Sequence, residues 1–378
     1  MAATAFRNAR IVLGDEIIDG SIAVDDGLIT AIDSGTAQAG EDLEGDYLIP
    51  GLVELHTDHL ETHYRPRPGV FWDPMAALHA HDVQIAGSGV TTVFDAVRIG
   101  SDLDMPKMLE HASLLVNAVR EARQDNWLRA DHLIHLRCEL PSADVTEHFE
   151  SLVGHPTTRL ISLMDHTPGQ RQFTSLETYK LFYKKQLGVT QEEVERYLAA
   201  ALAQHERYAA PNRRHLVTRA RELGLAMASH DDATLAHVEE AVEDGVAIAE
   251  FPTTLEAAAA AHDAGLAILM GAPNVVRGKS HSGNISATDL VRAGLLDILS
   301  SDYVPFALLQ AAFVLPQRVD GLALPAALAT VTSNPAKAAG LDDRGEIAIG
   351  KRADLVRVKV VGGLPVVRGV WRQGIRVS

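Results

Sequence analysis

Leu52-Val53-Glu54-Leu55-His56-Thr57-Asp58 is the stretch on which the fold of this chain turns. A strand-like run, Leu52–Leu55, apolar but for Glu54, is bounded by Pro50-Gly51 and runs into His56-Thr57-Asp58. That length suits a buried strand rather than a helix. Seven further runs of the same kind follow: Thr91–Asp95, Leu133–Glu139, Leu160–Met164, Leu225–Ser229, Ala247–Phe251, Ala267–Met270 and Asp297–Ser300. Helical patterns separate them, among them Gln191–Tyr208, Pro211–Leu223 and Thr234–Asp244. Eight strands alternating with helices predict an α/β fold, a (β/α)₈ TIM-like barrel over residues 51–339. The Thr174–Tyr208 stretch is longer than one crossover requires and reads as an insertion.

Outward from the barrel, both chain ends read as short β segments. Phe6–Val12, Ser21–Val24 and Leu28–Ile32 are separated by Gly14-Asp15-Glu16 and Asp26-Gly27, and Arg352–Val360 and Pro365–Val377 by Gly362-Gly363. Neither end carries enough apolar length for a core of its own. Residues 1–50 and 340–378 are therefore expected to pair into one small β-sandwich domain.

Composition narrows the function. The 378 residues are 47% hydrophobic and 22% charged, as in a globular protein, and no apolar run is long enough to span a bilayer. A net charge of −16 argues against nucleic acid as a partner. The lone cysteine, Cys138, excludes an internal disulfide and suits a reducing cytoplasm. Self-association stays open.

Barrel enzymes take their catalytic groups from the C-terminal ends of strands. Those ends carry His56 and Asp58, Glu139, Asp165 and His166, His230, Glu250, Lys279 and His281, and Asp302. Each alone reads as well as a solvated loop residue or a packed histidine; together they do not. Residues two apart in an extended segment face the same way, which pairs His56 with Asp58 and aligns His135, Arg137 and Glu139. His56, Asp58, Glu139 and His230, with Glu250 a weaker member, supply nitrogen and oxygen ligands for one or two divalent metal ions, Zn, Mn or Mg. Cys138 faces the other way and is read as packing. His59 and His63 follow the strand in loop or helix, and His79, His81, His205 and His237 sit in helical stretches as surface or core residues.

Longer motifs carry a resemblance. Tyr47–His56, Thr332-Ser333-Asn334-Pro335-Ala336 and Gly345–Val356 resemble the framing segments of the amidohydrolase superfamily. His56–Glu61, Arg137-Cys138-Glu139, Met164–Gln172, Ala228–Asp232, Glu250–Thr254, Gly271–Asn284 and Ser301-Asp302-Tyr303 resemble the PhnM family of the carbon–phosphorus lyase pathway. The resemblance implies hydrolysis of α-D-ribose 1-methylphosphonate 5-triphosphate to the 5-phosphate and pyrophosphate by metal-activated water. The substrate would be a small anionic triphosphate, and no membrane or nucleic acid would be involved. The sequence departs from the parent superfamily where Asp58 and Glu250 stand for histidines, which makes the site harder and favours Mn or Mg.

Phosphoanhydride hydrolysis needs a base, here assigned to Asp302, and a cationic lining. Arg137, Arg171, Lys279 and His281, with Asp165 and His166, are assigned to the substrate; Arg65, Arg67 and Arg277 lie nearby in sequence. A cyclic amide hydrolase or N-deacetylase would leave the Arg/Lys set unexplained. A non-catalytic scaffold would leave the intact strand-end acids and histidines unexplained.

Overall fold

The computed structural model describes residues 4–35, 37, 39–101, 107–171, 190–278 and 284–378. Among the described residues, sixteen strands form two sheets. The terminal strands are β1 (Thr4–Val12), β2 (Ile17–Asp25), β3 (Leu28–Ser34), β4 (Glu41–Asp42) and β5 (Tyr47–Pro50). The barrel strands are β6 (Leu52–Thr57), β7 (Val90–Ile99), β8 (Asp131–Glu139), β9 (Thr158–Met164), β10 (Ala226–His230), β11 (Ile248–Glu250), β12 (Ala267–Gly271) and β13 (Ile298–Ser300). The chain ends on β14 (Leu355–Val361), β15 (Leu364–Arg372) and β16 (Ile375–Arg376).

All eight expected barrel strands are present, hydrogen-bonded in chain order from β6 to β13. The ladders β6–β7, β8–β9, β9–β10, β10–β11 and β11–β12 are parallel. A parallel bridge from Thr57 to Asp302 brings the chain just after β13 back to β6, the closure that makes the array a (β/α)₈ barrel. The helices start where capping chemistry is available. Asp73 accepts the Ala76 amide at 2.8 Å ahead of Pro74–Gly87, which has proline in its first turn. Thr234 and Thr254 cap Leu235–Glu243 and Leu255–Asp263 in the same way.

The terminal strands of both chain ends join one sheet in the order β16-β15-β14-β5-β1-β2-β3, with β4 on β1. A bridge from Leu28 to Arg352 makes the sheet return on itself. It encloses one core that includes Phe6, Ile11, Ile22, Leu48, Leu355 and Trp371. Phe6 and Trp371 meet edge to face at 4.8 Å.

By contact density the chain divides into two compact units. The first is Met1–Asp95, Ala118–Leu133 and Met270–Ser378; the second is Ala96–Asn117 and Ile134–Leu269. The helical pattern expected at Gln191–Tyr208 is a helix over Gln191–Gln204 followed by one π-helical turn, His205–Ala209. The earlier part of the expected insertion falls in residues 172–189, outside the described residues.

Candidate active site

In the first unit, the end of β6 and the residues after β13 gather three of the predicted groups. The Asp302 amide donates to the His56 carbonyl and the Asp58 amide to the Asp302 carbonyl, each at 3.1 Å. His56 is buried, and its Nε2 lies 3.8 Å from Asp58 Oδ1. The pairing is held from behind by Glu54, which sequence reasoning passed over as part of an apolar strand. Glu54 is fully buried and accepts from the amides of His56 at 2.7 Å and Ser301 at 2.6 Å. Burial pushes its pKa up to about 8 against those hydrogen bonds. Glu54 thus fixes the two strand ends that carry His56 and Asp302. His59, in the helix His59–Tyr64, turns its Nε2 onto the Tyr303 carbonyl at 2.7 Å.

The second unit holds Glu139, His166, His230 and Glu250. Glu139, at the end of β8, faces His166, with Oε2 to Nδ1 at 2.6 Å, and accepts the His166 amide at 3.0 Å. Arg98 approaches the same carboxylate at 3.4 Å. Burial opposes the charge on both partners, yet each stabilises the other. Glu139 is held down at about 2 by His166 and Arg98, and His166 is raised above the ordinary histidine value by Glu139. Gly100 makes this approach feasible. At φ +95° it sits where a Cβ would meet Ser142 Cβ at 2.9 Å and the Glu139 carbonyl at 3.1 Å.

His230, at the end of β10, donates or accepts through Nδ1 at Glu250 Oε2, 3.1 Å away. Its Nε2 faces Asp231 Oδ2 at 3.6 Å. Burial drives the His230 pKa down to about 3, so the ring is neutral at physiological pH. Burial lifts Asp231 to about 7, and its Oδ2 is buried with no hydrogen-bond partner among the described residues. Asp231 also holds a left-handed backbone, φ +56°, as Phe251 and Asp302 do at φ +53° after other barrel strands. A non-glycine residue in that region costs about 1–3 kcal/mol, and such strain concentrates at functional sites.

His166, His230 and Asp231 bring one ligand atom each within 4.8 Å of one another. This donor set fits a divalent ion. It offers a neutral imidazole oriented through its other nitrogen by a carboxylate, and a carboxylate oxygen that no other group among the described residues satisfies. Asp231 was not among the residues singled out from sequence. Its only signal was its place directly after a strand-end histidine.

The other expected residues lie as follows. Asp165 is engaged by His205 Nδ1 at 2.6 Å and by the Thr167 amide at 3.0 Å. Arg171 is buried, ion-paired with Asp232 and, at 2.8 Å, with Glu240, and it reaches the His230 carbonyl at 3.5 Å. Arg137 is partly buried, and its charge acts on both His230 and Asp231. Cys138 is buried with its thiol pushed up by burial, as packing requires. Lys279 and His281 lie outside the described residues.

With this geometry in place, the relatives become informative. A profile of the amidohydrolase family matches residues 75–359. The chain is 46% identical over 373 residues to the alpha-D-ribose 1-methylphosphonate 5-triphosphate diphosphatase of Escherichia coli (strain K12), covering 98% of this chain and 99% of that protein. Among solved structures, 5-methylcytosine deaminase from Klebsiella pneumoniae superposes with a TM-score of 0.66 at 15% identity, covering 99% of this chain and 97% of that one. N-acetylglucosamine-6-phosphate deacetylase from Pasteurella multocida gives 0.61 at 16%, with 99% of both chains covered. At such identities the two structures speak to the fold alone. The strand-end donors, the barrel and the full-length similarity together make this chain a member of the amidohydrolase family, on the branch of the PhnM diphosphatases.

Proposed function

We propose that this chain hydrolyses α-D-ribose 1-methylphosphonate 5-triphosphate, leaving the 5-phosphate and releasing pyrophosphate. The observation that carries the reading is the 46% identity to the E. coli diphosphatase along 98% of the chain. Barrel strands present their C-terminal ends on one face, so donors from several strands can serve one site. In this reading His56, Asp58, Glu139, His230 and Glu250 are the metal-holding set, with Asp231 added to it. A bound divalent ion, one or two of Zn, Mn or Mg, would polarise a phosphoryl oxygen and lower the pKa of a water.

The chain's own groups do the rest. Asp302 orients the attacking water and takes its proton, held in register by its backbone pairing to His56 and Asp58. Glu250 fixes the His230 ring, and Glu139 fixes His166. The leaving pyrophosphate needs cations beyond the metal, and Arg137, His166, Lys279 and His281 are assigned to phosphate oxygens. Asp165 acts through His205, and Arg171 through Asp232 and the His230 carbonyl. The lone Cys138 supports a cytoplasmic place of action. The test is hydrolysis of the ribosyl triphosphate by pure protein, with and without a chelator, followed by product separation. One pyrophosphate per turnover, lost on chelation and regained with Mn, is expected. Stepwise release of orthophosphate would overturn the reading.

A further inference from the structure

The first unit carries a second concave region, built from other elements than the strand ends of β6 and β13. The start of helix Pro74–Gly87, the segment 126–129 and the last strands line a cavity of about 990 Å³. A smaller cavity of about 270 Å³ shares Asn126, Leu128, Arg372 and Gln373 with it. The larger volume is in the range that accommodates a cofactor-sized molecule. Although the chain carries a net charge of −16, the larger cavity is lined by Arg129, Arg372 and Arg376 with no carboxylate, and the smaller by Arg123, Arg352 and Arg372 with Asp131.

Most of these charges are already matched. Arg129 pairs with Asp82 at 3.0 Å, Arg123 with Asp131, and Arg352 with Asp354 at 3.0 Å. Arg376 donates to the Ser378 and Arg368 carbonyls and lies over the Trp371 ring. Arg372 is different. Its Nη1 donates to the Ala130 carbonyl at 2.9 Å, and no carboxylate among the described residues reaches it in an ion pair. Burial lowers its pKa below the ordinary arginine value, outweighing the nearby charges of Asp131, Asp354 and Asp82, none of which is in an ion pair with it. An anion in the cavity would meet the guanidinium directly, through the paired donors that make arginine a phosphate ligand. Beside it, Trp127 lines the same cavity, with the His79 ring 5.8 Å away at a 56° tilt. Aromatic faces of this kind stack on nucleobases in a sequence-tolerant way.

We propose that this cleft is a binding site for a nucleoside polyphosphate, its phosphates on Arg372 and its base against Trp127 and His79. The site is separate from the hydrolytic reading and does not rest on it. The experiment is calorimetric titration of the full chain with ATP and with inorganic tripolyphosphate. It is run in excess chelator and repeated on His230→Ala, so that metal-dependent strand-end binding does not contribute. Saturable ATP binding is expected in both proteins, with tripolyphosphate weaker because it lacks a base. Arg372→Gln should weaken ATP by about tenfold or more, and Arg372→Lys, which keeps the charge, by less. Trp127→Phe should remove the accompanying change in tryptophan emission while tripolyphosphate binding persists. The proposal is overturned if Arg372→Gln, shown folded by circular dichroism, binds ATP as the parent does. It is equally overturned if ATP does not bind in chelator, or if a poly-glutamate peptide displaces ATP and binds tighter, which would make the cleft a docking surface for acidic chain.

Discussion

Two buried histidine–aspartate clusters look alike as donor lists and differ in how their hydrogen bonds close. His81, Asp95 and His132 come together in the first unit, and His166, His230 and Asp231 in the second. In the first cluster Asp95 Oδ1 meets His81 Nε2 at 2.7 Å, and Oδ2 meets His132 Nδ1 at 2.8 Å. His132 Nε2 turns to Asp82 Oδ1 at 3.3 Å, and Asp82 also takes the Arg129 side chain and the amides of Arg129 and Ala130. Every carboxylate oxygen is met from within the protein, and only His81 Nδ1 is buried without a hydrogen-bond partner among the described residues of the cluster. The neighbouring carboxylates overcome burial to hold the His132 pKa at about 9, and the two histidines overcome it to keep Asp95 at about 2. In the second cluster Asp231 Oδ2 has no partner among the described residues and the backbone is strained. Carboxylates met on every oxygen stabilise a fold; one left open waits for a ligand.

The contrast breaks first, and hardest, at His132. His132→Ala leaves Asp95 with His81 alone and Asp82 with Arg129 and two backbone amides, and losing one member of a buried charged set costs about 3–5 kcal/mol. Denaturant unfolding should show that loss, while metal content per folded molecule stays as in the parent. A fall in bound metal with unchanged stability would mean the two clusters have been assigned the wrong way round. The same cluster sets a pH window. His132 is raised, so its contribution is complete below 6.5 and disappears as pH climbs through about 9. Asp95 is depressed, so its contribution is complete above 3.8 and disappears as pH falls through about 2. The cluster's own contribution, read as the stability difference between the parent and His132→Ala, should be constant between those limits and shrink as pH climbs through about 9.

Next in size is Asp302→Asn, nearly isosteric but unable to accept a proton. Turnover should fall by on the order of a hundredfold or more with little change in thermal stability or metal content. Near-normal turnover would move the base elsewhere, with Asp231 the first place to look. Smaller again is Asp231→Asn, which keeps volume and removes charge from the open cluster. Metal affinity, read by equilibrium dialysis, should drop roughly ten- to a hundredfold. Thermal stability of the metal-free protein should hold or rise, since a buried unsatisfied carboxylate is gone. Unchanged affinity would remove Asp231 from the metal set.

The barrel was legible because its strands are short aliphatic runs between turn residues, and strand ends are where this architecture concentrates polar chemistry. That logic singles out His56, Glu139, His230 and Asp302 as candidates from the residues alone. It could not reach the partners, because those are set by packing between segments far apart in the chain. Glu54 reads as an interruption in an apolar strand, yet it ties His56 to Ser301, 247 residues from Glu54. Arg171 reads as a phosphate ligand, yet its guanidinium is committed to Asp232 and Glu240. His81 and Asp82 sit in an ordinary helical pattern, and only the fold shows that both point into one buried network with Asp95 and His132.

The claim at the centre of this account is that water attacks the α-phosphorus of a ribosyl 5-triphosphate and the outer two phosphates leave together. Hydrolysis in ¹⁸O-water followed by mass spectrometry of the products tests it most directly. The account predicts label in the 5-phosphate product and none in pyrophosphate. Label confined to pyrophosphate, or to free orthophosphate, would contradict it.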